Sequence, residues 1–203
     1  MQKPQCVVIL DFGAQYTQLI ARRVRELGVF SVVLPYTATM DEILEKEPKG
    51  IILSGGPATV LADDAPKCDA AILTLGVPVL GICYGMQLLA QSGGGEVICA
   101  AKKEYGRARI RIEEHDTIFR GLGEEEEVWM SHGDAVQVLP PDYRRIASSG
   151  NSPFAAISHR SRPVWALQFH PEVMNTPNGA RMIANFCDLA GFARDWTPAS
   201  FIE

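Results

Sequence analysis

The chain has 203 residues, 47% of them hydrophobic, which is enough to bury the core of a single domain. Its formal net charge of −5 argues against a surface for nucleic acid or anionic membranes, because such a surface needs a strongly basic patch. We therefore expect no nucleic-acid partner and no membrane partner, and look instead to small molecules and other proteins.

The cysteines indicate a reduced compartment. They are odd in number, scattered and without CxxC pairs, so neither a disulfide framework nor a zinc site is expected. The N-terminal region has no long apolar signal segment, and no apolar run approaches the roughly 18 residues of a membrane span. We expect a cytoplasmic protein without a metal site.

The first ninety residues alternate short apolar strands with helical patterns. Strands are predicted at residues 6–10, 31–34, 50–54 and between Pro78 and Cys83. Helices are predicted around residues 19–27, where the apolar residues share one helical face, at 41–47, at 65–75 and directly after Cys83. Repeated βα units form a parallel sheet covered by helices on both faces, with ligand groups at the carboxyl ends of the strands. Asp11, the Ser54-Gly55-Gly56-Pro57 turn and Cys83 are therefore expected on one rim.

After about Gly93 the pattern changes to short strands and polar turns, which predicts an antiparallel extension of the same domain. The strands are expected at 96–99, 107–112, 128–130, 136–139, 146–147 and 154–157. Arginines at 107, 109 and 111 alternate with apolar residues, so one strand face is basic. We expect that face to be solvated, with partner docking as the alternative, and we expect the acidic run 124–127 to be a solvated loop.

Cys83 is the first candidate catalytic residue. The sequence Gly81-x-Cys83-x-Gly85 is typical of a nucleophile elbow, in which a tight strand-to-helix turn exposes the reactive atom. The helix N-terminus also favours the thiolate, which is the reactive form of cysteine. The alternative is an inert core cysteine, because free cysteines are often buried.

A second candidate pair follows the apolar strand that begins at Val164. Pro171 holds His170 in extended geometry, so His170 and Glu172 point to the same side of the chain. A carboxylate beside an imidazole orients it and stabilises its protonated form. The alternative is that His170 only caps the strand and Glu172 is solvated. Of the other histidines, His115 and His159 are expected at the surface.

The C-terminal part is predicted to contain a helix from Asn178 to Ala190 that ends at Gly191. Residues 192–203 have no clear periodicity and are interpreted as a linker or tail. Asp11-Phe12-Gly13 is identical in sequence to the metal-binding triplet of protein kinases. The glycine-rich loop and the HRD motif that accompany it in kinases are not found in this sequence, so we discard that interpretation.

Three motifs occur in order: Ser54-Gly55-Gly56-Pro57, the segment from Gly81 to Gln87, and Gln168-Phe169-His170-Pro171-Glu172. On these motifs the chain resembles the class I, triad-type glutamine amidotransferases over nearly its whole length. Asp11-Phe12-Gly13-Ala14-Gln15-Tyr16 and Met130-Ser131-His132-Gly133-Asp134 are similar to the amidotransferase domains of the GMP synthase branch. The resemblance implies a three-layer α/β/α, flavodoxin-like fold with a mostly parallel central sheet and a small antiparallel β extension.

The resemblance also implies a reaction. Glutamine would be hydrolysed to glutamate and ammonia through a thioester on Cys83, with His170 transferring the proton and Glu172 orienting it. The oxyanion hole would be formed by N–H groups of Gly56 and Tyr84. The pocket for glutamine would be formed by Gln87, Gly133 and Asp134, while His132 lies in the same motif without an implied proton-transfer role.

The same resemblance implies a partner, an ATP-pyrophosphatase (synthetase) domain that uses ATP and Mg²⁺ to aminate xanthosine monophosphate (XMP). The phosphate loop Ser-Gly-Gly-Val-Asp-Ser of that domain is not found in this sequence. We therefore expect 1–191 to be an amidotransferase domain without a cofactor of its own, and 192–203 to lead toward the synthetase domain. The other possibility is that the chain is a separate glutaminase subunit. The alternatives for function are a glutaminase subunit of another amidotransferase and a non-catalytic glutamine-binding or assembly module.

Overall fold

The computed structural model describes residues 5–197. Within them the strands are β1 (Cys6–Asp11), β2 (Phe30–Pro35), β3 (Pro48–Leu53), β4 (Val79–Ile82), β5 (Glu96–Ile112), β6 (Glu125–Val138), β7 (Tyr143–Ser149), β8 (Ala156–His159) and β9 (Val164–Leu167). The α-helices are α1 (Thr17–Glu26), α2 (Met40–Glu45), α3 (Tyr84–Ser92) and α4 (Gly179–Leu189). None of the helices in this part of the chain is long and apolar enough to cross a membrane.

The strands form one continuous sheet in the order β2-β1-β3-β4-β9-β8-β7-β5-β6. Strands β2, β1, β3, β4 and β9 are parallel, whereas β8, β7, β5 and β6 continue the sheet with antiparallel pairings. The parallel βα half and the antiparallel extension were both predicted, but the short strands expected at 96–99 and 107–112 are parts of the single strand β5, and those expected at 128–130 and 136–139 lie almost entirely in β6. Their junction at β9 could not be predicted, because strand order depends on contacts between distant segments.

Alternating side chains on the parallel strands divide the core into two layers. Val7 and Ile9 of β1 pack with α1 and α4 on one face, whereas Val8 and Leu10 pack with α2 and α3 on the other. Strands with both faces buried are expected to be apolar throughout, as β1 is. The predicted three-layer α/β/α class is confirmed.

The predicted helix at 65–75 is wrong over most of its length. Only Ala70–Thr74 forms a helix, and it is a short 3₁₀-helix. Pro66 disfavours helical geometry at the preceding residue, and the Asp69 carboxylate accepts a hydrogen bond from the Ala71 N–H at 2.8 Å, which fixes a late start.

The acidic run 124–127 was also assigned wrongly to a loop. Residues 125–127 begin strand β6 and lie opposite residues 109–111 of β5, and diagonal ion pairs join Arg107 to Glu127 at 3.3 Å and Arg109 to Glu125 at 3.4 Å. These four side chains are largely exposed. The basic strand face is therefore charge-balanced by its neighbour, which favours the solvated-face interpretation over a cationic docking surface.

Residues 192–197 have no regular secondary structure but pack on the domain. Phe192 is buried in the core layer of α1 and α4, and the main-chain N–H of Trp196 donates to the Gly28 carbonyl at 2.9 Å. The Trp196 ring also contacts the Phe30 ring as a tilted pair, with the two centroids 5.7 Å apart. The remainder of the predicted tail, 198–203, lies outside the described residues.

Candidate active site

Cys83 lies on a strained turn between β4 and α3. Its backbone has φ 51° and ψ −102°, which is unusual for a residue with a side chain and is typical of a nucleophile elbow. A Cβ on Gly85 would lie 2.5 Å from the Leu53 carbonyl oxygen, and one on Gly81 would lie 2.6 Å from Leu89 Cδ1. The glycines are therefore required by close packing, and the predicted elbow is confirmed as a structural element.

His170 and Glu172 follow β9 and form a buried pair. His170 Nδ1 lies 2.7 Å from Glu172 Oε1, and both side chains are almost completely inaccessible. Burial by itself lowers the pKa of His170, but its contacts with Cys83 and Glu172 outweigh burial and raise the pKa to about 10. The alternative in which Glu172 is a solvated surface residue is wrong.

The main chain of His170 is fixed by a strand and a loop. Its N–H donates to the Trp129 carbonyl at 3.0 Å, and its carbonyl accepts from the Thr176 hydroxyl at 2.6 Å. The Tyr16 ring packs edge-on against the imidazole at a centroid distance of 5.6 Å. Thr176 gave no signal in the sequence, and Tyr16 was noted only as part of a family motif, because both contacts depend on how the chain folds around the imidazole.

Cys83 and His170 meet beside Gly55. A Cβ on that glycine would lie 3.1 Å from His170 Cε1 and 3.6 Å from Cys83 Cβ. The pairing of β4 with β9, in which Ile82 lies opposite Leu167, brings the two strand ends together. The rim predicted from the carboxyl ends of the parallel strands is thus formed by the Ser54–Pro57 turn, the elbow and the residues after β9.

The sulfur atom of Cys83 has two further polar neighbours. The thiol donates to the Ser131 carbonyl at 3.6 Å, and the Gln168 side-chain amide donates to the sulfur at 3.8 Å. Both are long contacts that involve sulfur. Neither residue had been assigned a role from the sequence, although each belongs to a motif noted there.

A pocket of about 390 Å³ opens in front of Cys83. Of the residues predicted to bind glutamine or the oxyanion, Gly56, Gln87, Gly133 and Asp134 line it together with Cys83. The Gln87 side-chain amide donates to the Asp134 carbonyl at 2.9 Å, which joins α3 to the wall formed by β6. The structure thus brings these predicted residues to one cavity.

Tyr84, unlike the other residues predicted to bind glutamine or the oxyanion, does not line the pocket. Its hydroxyl donates to the Pro66 carbonyl at 2.6 Å and its ring packs against Phe12, so the side chain points away from the pocket. Tyr84 is the first residue of helix α3, so its main-chain N–H has no acceptor within the helix. Within residues 5–197, the N–H groups of Gly56 and Tyr84 donate no hydrogen bond, which leaves both available to an acceptor.

Lys103 and Tyr105 also line the pocket, and sequence reasoning missed both. The β5–β6 ladder is irregular between Cys99 and Glu104, where residues 100–103 lie opposite Gly133 alone. This irregularity brings the Lys103 side chain to Gly133, where an added Cβ would lie 3.6 Å from Lys103 Cδ. No sequence pattern indicates a strand irregularity of this kind.

The remaining polar candidates have local roles. Asp11 Oδ1 accepts from the Gly13 N–H at 2.8 Å and from the Thr17 hydroxyl at 2.7 Å, so it stabilises the turn before α1. His115 is exposed and His159 is half-buried. In the described part of the chain, no cluster of three or more His, Cys, Asp or Glu side chains is arranged to hold a metal ion.

Comparison with known proteins gives concordant matches. The family model described as glutamine amidotransferase class-I matches residues 8–189. GMP synthase [glutamine-hydrolyzing] of Brachyspira hyodysenteriae is 49% identical over 198 residues, which cover 97% of this chain and 38% of that protein. The same-named protein of Thermus thermophilus is 50% identical over 197 residues, or 97% of this chain and 39% of that protein. The chain thus spans about two fifths of the length of these relatives.

Solved structures match over almost the whole chain. A protein from Thermoplasma acidophilum that is described as one subunit of a GMP synthase superposes with a TM-score of 0.81 at 31% identity, covering 94% of this chain and 96% of that one. A glutamine amidotransferase from Thermotoga maritima superposes with a TM-score of 0.71 at 19% identity, covering 96% of each chain. The second likeness supports the fold alone.

Proposed function

The chain belongs to the class I glutamine amidotransferase family, and from this premise we propose that it hydrolyses glutamine to glutamate and ammonia through a thioester on Cys83. The observation that carries the proposal is the placement of a strained-elbow cysteine, which lines a pocket, beside a buried histidine–glutamate pair. A nucleophile, a base and a residue that orients the base are the parts that covalent acyl transfer needs.

In the proposed reaction, Cys83 Sγ attacks the carbon of the glutamine side-chain amide. His170 holds the proton released by the thiol and donates it to the departing ammonia. The raised pKa of His170 supports this role, because the imidazolium is then the favoured form at neutral pH. Glu172 stabilises that charge and orients the ring through the 2.7 Å contact to Nδ1.

The tetrahedral intermediate carries a negative oxygen that needs fixed donors. We assign the N–H groups of Gly56 and Tyr84 to it, since neither donates a hydrogen bond within the described residues. A Cβ on Gly56 would lie 2.6 Å from the Phe12 carbonyl oxygen, so glycine is the residue that fits this turn. Water then cleaves the thioester and releases glutamate, with Gln87, Gly133 and Asp134 holding the substrate.

We further propose that the ammonia is consumed by a synthetase domain that aminates XMP to GMP. The support is the near-complete alignment of this chain with GMP synthases that are about 2.5 times longer, so that most of their length lies outside the match. ATP and Mg²⁺ belong to that synthetase domain in this proposal, and the amidotransferase part (1–191) needs no cofactor. Residues 192–203 connect toward the synthetase domain, and the protein acts in the cytoplasm.

The acceptor is tested by reconstitution. Glutaminase activity of the 203-residue chain is measured alone and after addition of the synthetase domain of a relative with XMP and ATP. We expect slow activity that rises when all three are present. Stimulation only by a different acceptor system would assign the chain to another amidotransferase, and no glutamine hydrolysis under any condition would support the non-catalytic module.

A further inference from the structure

We propose that Glu104 is a positioning residue for glutamine binding, because with His132 and Ser152 it fixes the main chain of residues 131–134, which form one wall of the pocket. The inference rests on the proposed function, since it assigns a cause for the shape of that same site. Glu104 does not line the pocket and acts through His132.

The three side chains form a buried polar cluster. Glu104 Oε2 lies 3.1 Å from His132 Nε2 and accepts a hydrogen bond from the Ser152 hydroxyl at 2.8 Å. They come from three elements, β5, β6 and the turn after β7, and each side chain is more than nine-tenths inaccessible. Burying a carboxylate is costly unless it is hydrogen-bonded, so this cluster is stable only with its contacts intact.

The cluster lies at Glu104, where regular pairing between β5 and β6 begins again after the irregular residues 100–103. Glu104 lies directly opposite His132, whereas the previous regular pair is Cys99 with Asp134. Gly133, which lies opposite residues 100–103, therefore lacks the regular ladder contacts of an antiparallel pair. The side-chain contact between Glu104 and His132 provides an additional constraint at this point.

The cluster is joined to the main chain of the pocket wall through the Asp134 carbonyl group. The Asp134 carbonyl oxygen lies 2.9 Å from His132 Nδ1 and 2.9 Å from the Gln87 side-chain nitrogen. A shift of this segment would therefore displace Gly133 and Asp134 in the substrate pocket.

The positions of the hydrogens on the His132 ring determine which hydrogen bond residue 104 can make with it. A carbonyl oxygen can only accept, so His132 Nδ1 carries a hydrogen. Burial lowers the pKa of His132, against the opposite effects of the Asp134 carbonyl and Glu104, which favours a neutral ring with a lone pair at Nε2. The 3.1 Å contact at Nε2 requires one hydrogen between this nitrogen and Glu104 Oε2. A glutamine with its amide nitrogen in the place of Oε2 would donate to His132 Nε2, and its second hydrogen could be donated to the Ser152 hydroxyl, which can accept as well as donate.

The experiment compares two reactions of Cys83 in the 203-residue chain. Labelling by 6-diazo-5-oxo-L-norleucine, a glutamine-analogue electrophile, gives the concentration for half-maximal inactivation and reports the pocket. Alkylation by iodoacetamide, which lacks the amino-acid group, reports the thiol alone. We expect Glu104→Ala to raise the half-maximal concentration about 10-fold and to leave the iodoacetamide rate within about two-fold of wild type.

Two variants test the hydrogen-bond role. Glu104→Gln can place an amide NH2 group between His132 and Ser152, and we expect its half-maximal concentration to lie within about two-fold of wild type. Ser152→Ala removes only the 2.8 Å contact, and we expect an increase of about three-fold. Ser152→Ala also provides the decisive result if Glu104→Ala does not fold.

Asn185→Ala is the matched control for loss of a buried polar contact. The Asn185 amide donates to the Ile118 and Arg120 carbonyls and does not line the pocket. We expect lower thermal stability with both labelling constants unchanged. If Glu104→Ala has the wild-type half-maximal concentration, the inference is overturned and the proposed function is not affected. The same result for Ser152→Ala decides the matter if Glu104→Ala does not fold. No labelling of wild-type Cys83 would overturn the proposed function and the inference with it.

Discussion

At the scale of single residues, Glu172 is one of the two side chains whose contacts raise the pKa of His170, the other being Cys83. Its Oε1 is bound to His170, while its Oε2 is buried and has no hydrogen-bond partner within the described residues. The carboxylate is therefore committed to the histidine rather than shared with other donors. Arg23 supports this region through the main chain, since its Nε donates to the Glu172 carbonyl at 3.1 Å.

This arrangement predicts a pH dependence of stability. The pKa of folded His170 is raised to about 10, above the ordinary value of about 6.5, so its protonated form stabilises the fold. That contribution is complete below about pH 6.5 and is lost as the pH rises toward 10. We expect the melting temperature of wild type to fall more between pH 6.5 and 9 than that of Glu172→Gln, which lacks the carboxylate charge. Thermal denaturation at several pH values measures this, and parallel curves would contradict it.

Much of the proposed site at the residue scale could be predicted from the sequence. Cys83, His170 and Glu172 were found because elbow glycines and the His-Pro-Glu spacing are local patterns with local geometric consequences. Glu104 and Thr176 were not found, because their contacts with His132 and His170 depend on strand pairing and loop packing. A buried carboxylate also has no composition signal in a strand that is otherwise largely exposed.

At the scale of elements, the elbow depends on the close approach of α3 to β3. The Gly85 N–H donates to the Ser54 carbonyl at 3.1 Å, which joins the helix to the turn that carries Gly56. Because a Cβ on Gly85 would meet the Leu53 main chain, the first turn of α3 cannot take a larger residue without moving.

This contact predicts the effect of Gly85→Ala. We expect the free energy of unfolding to fall by about 1–3 kcal/mol, as for other overpacked sites, and labelling of Cys83 by the glutamine analogue to slow. Gly150→Ala is the control, because a Cβ there would have no neighbour within 4 Å. Chemical denaturation and labelling rates are measured for both. Equal behaviour of the two variants would show that the close approach does not hold the elbow.

Element boundaries show where local patterns were insufficient. The strand preceding Cys83 was predicted well because β-branched and aliphatic residues between Pro78 and Cys83 leave few alternatives. Residues 125–127 were placed in a loop because four consecutive glutamates are unfavourable in an isolated strand. The arginines of β5 across the ladder offset that preference, and such pairing is a property of the sheet rather than of the segment.

At the scale of the whole molecule, the site is assembled from both halves of the sheet. The parallel half provides Gly56 and Cys83, and the antiparallel half provides the wall of residues 131–134. The βα repeat predicted the first half and its rim. The position of the second half could not be predicted, because short strands separated by polar turns can pair in many orders.

The segment after α4 contributes to the stability of this assembly. Phe192 is buried in the core layer of α1 and α4, so Phe192→Ala is expected to lower the free energy of unfolding by about 3–5 kcal/mol. Met174→Ala is the control, since Met174 is 84% exposed, and we expect a change within about 0.5 kcal/mol. Urea denaturation measures both. A small effect of Phe192→Ala would mean that the domain ends before this residue.

The measurement that tests the central claim most directly is the labelling of Cys83 by a glutamine-analogue electrophile, followed by mass spectrometry of the modified peptide. We expect the wild-type chain to be labelled at Cys83, protected by excess glutamine, and His170→Ala to be labelled about 10²–10⁴-fold more slowly, the usual range for loss of an acid–base group. Failure to label Cys83, or equal labelling after His170→Ala, would contradict a catalytic triad of Cys83, His170 and Glu172.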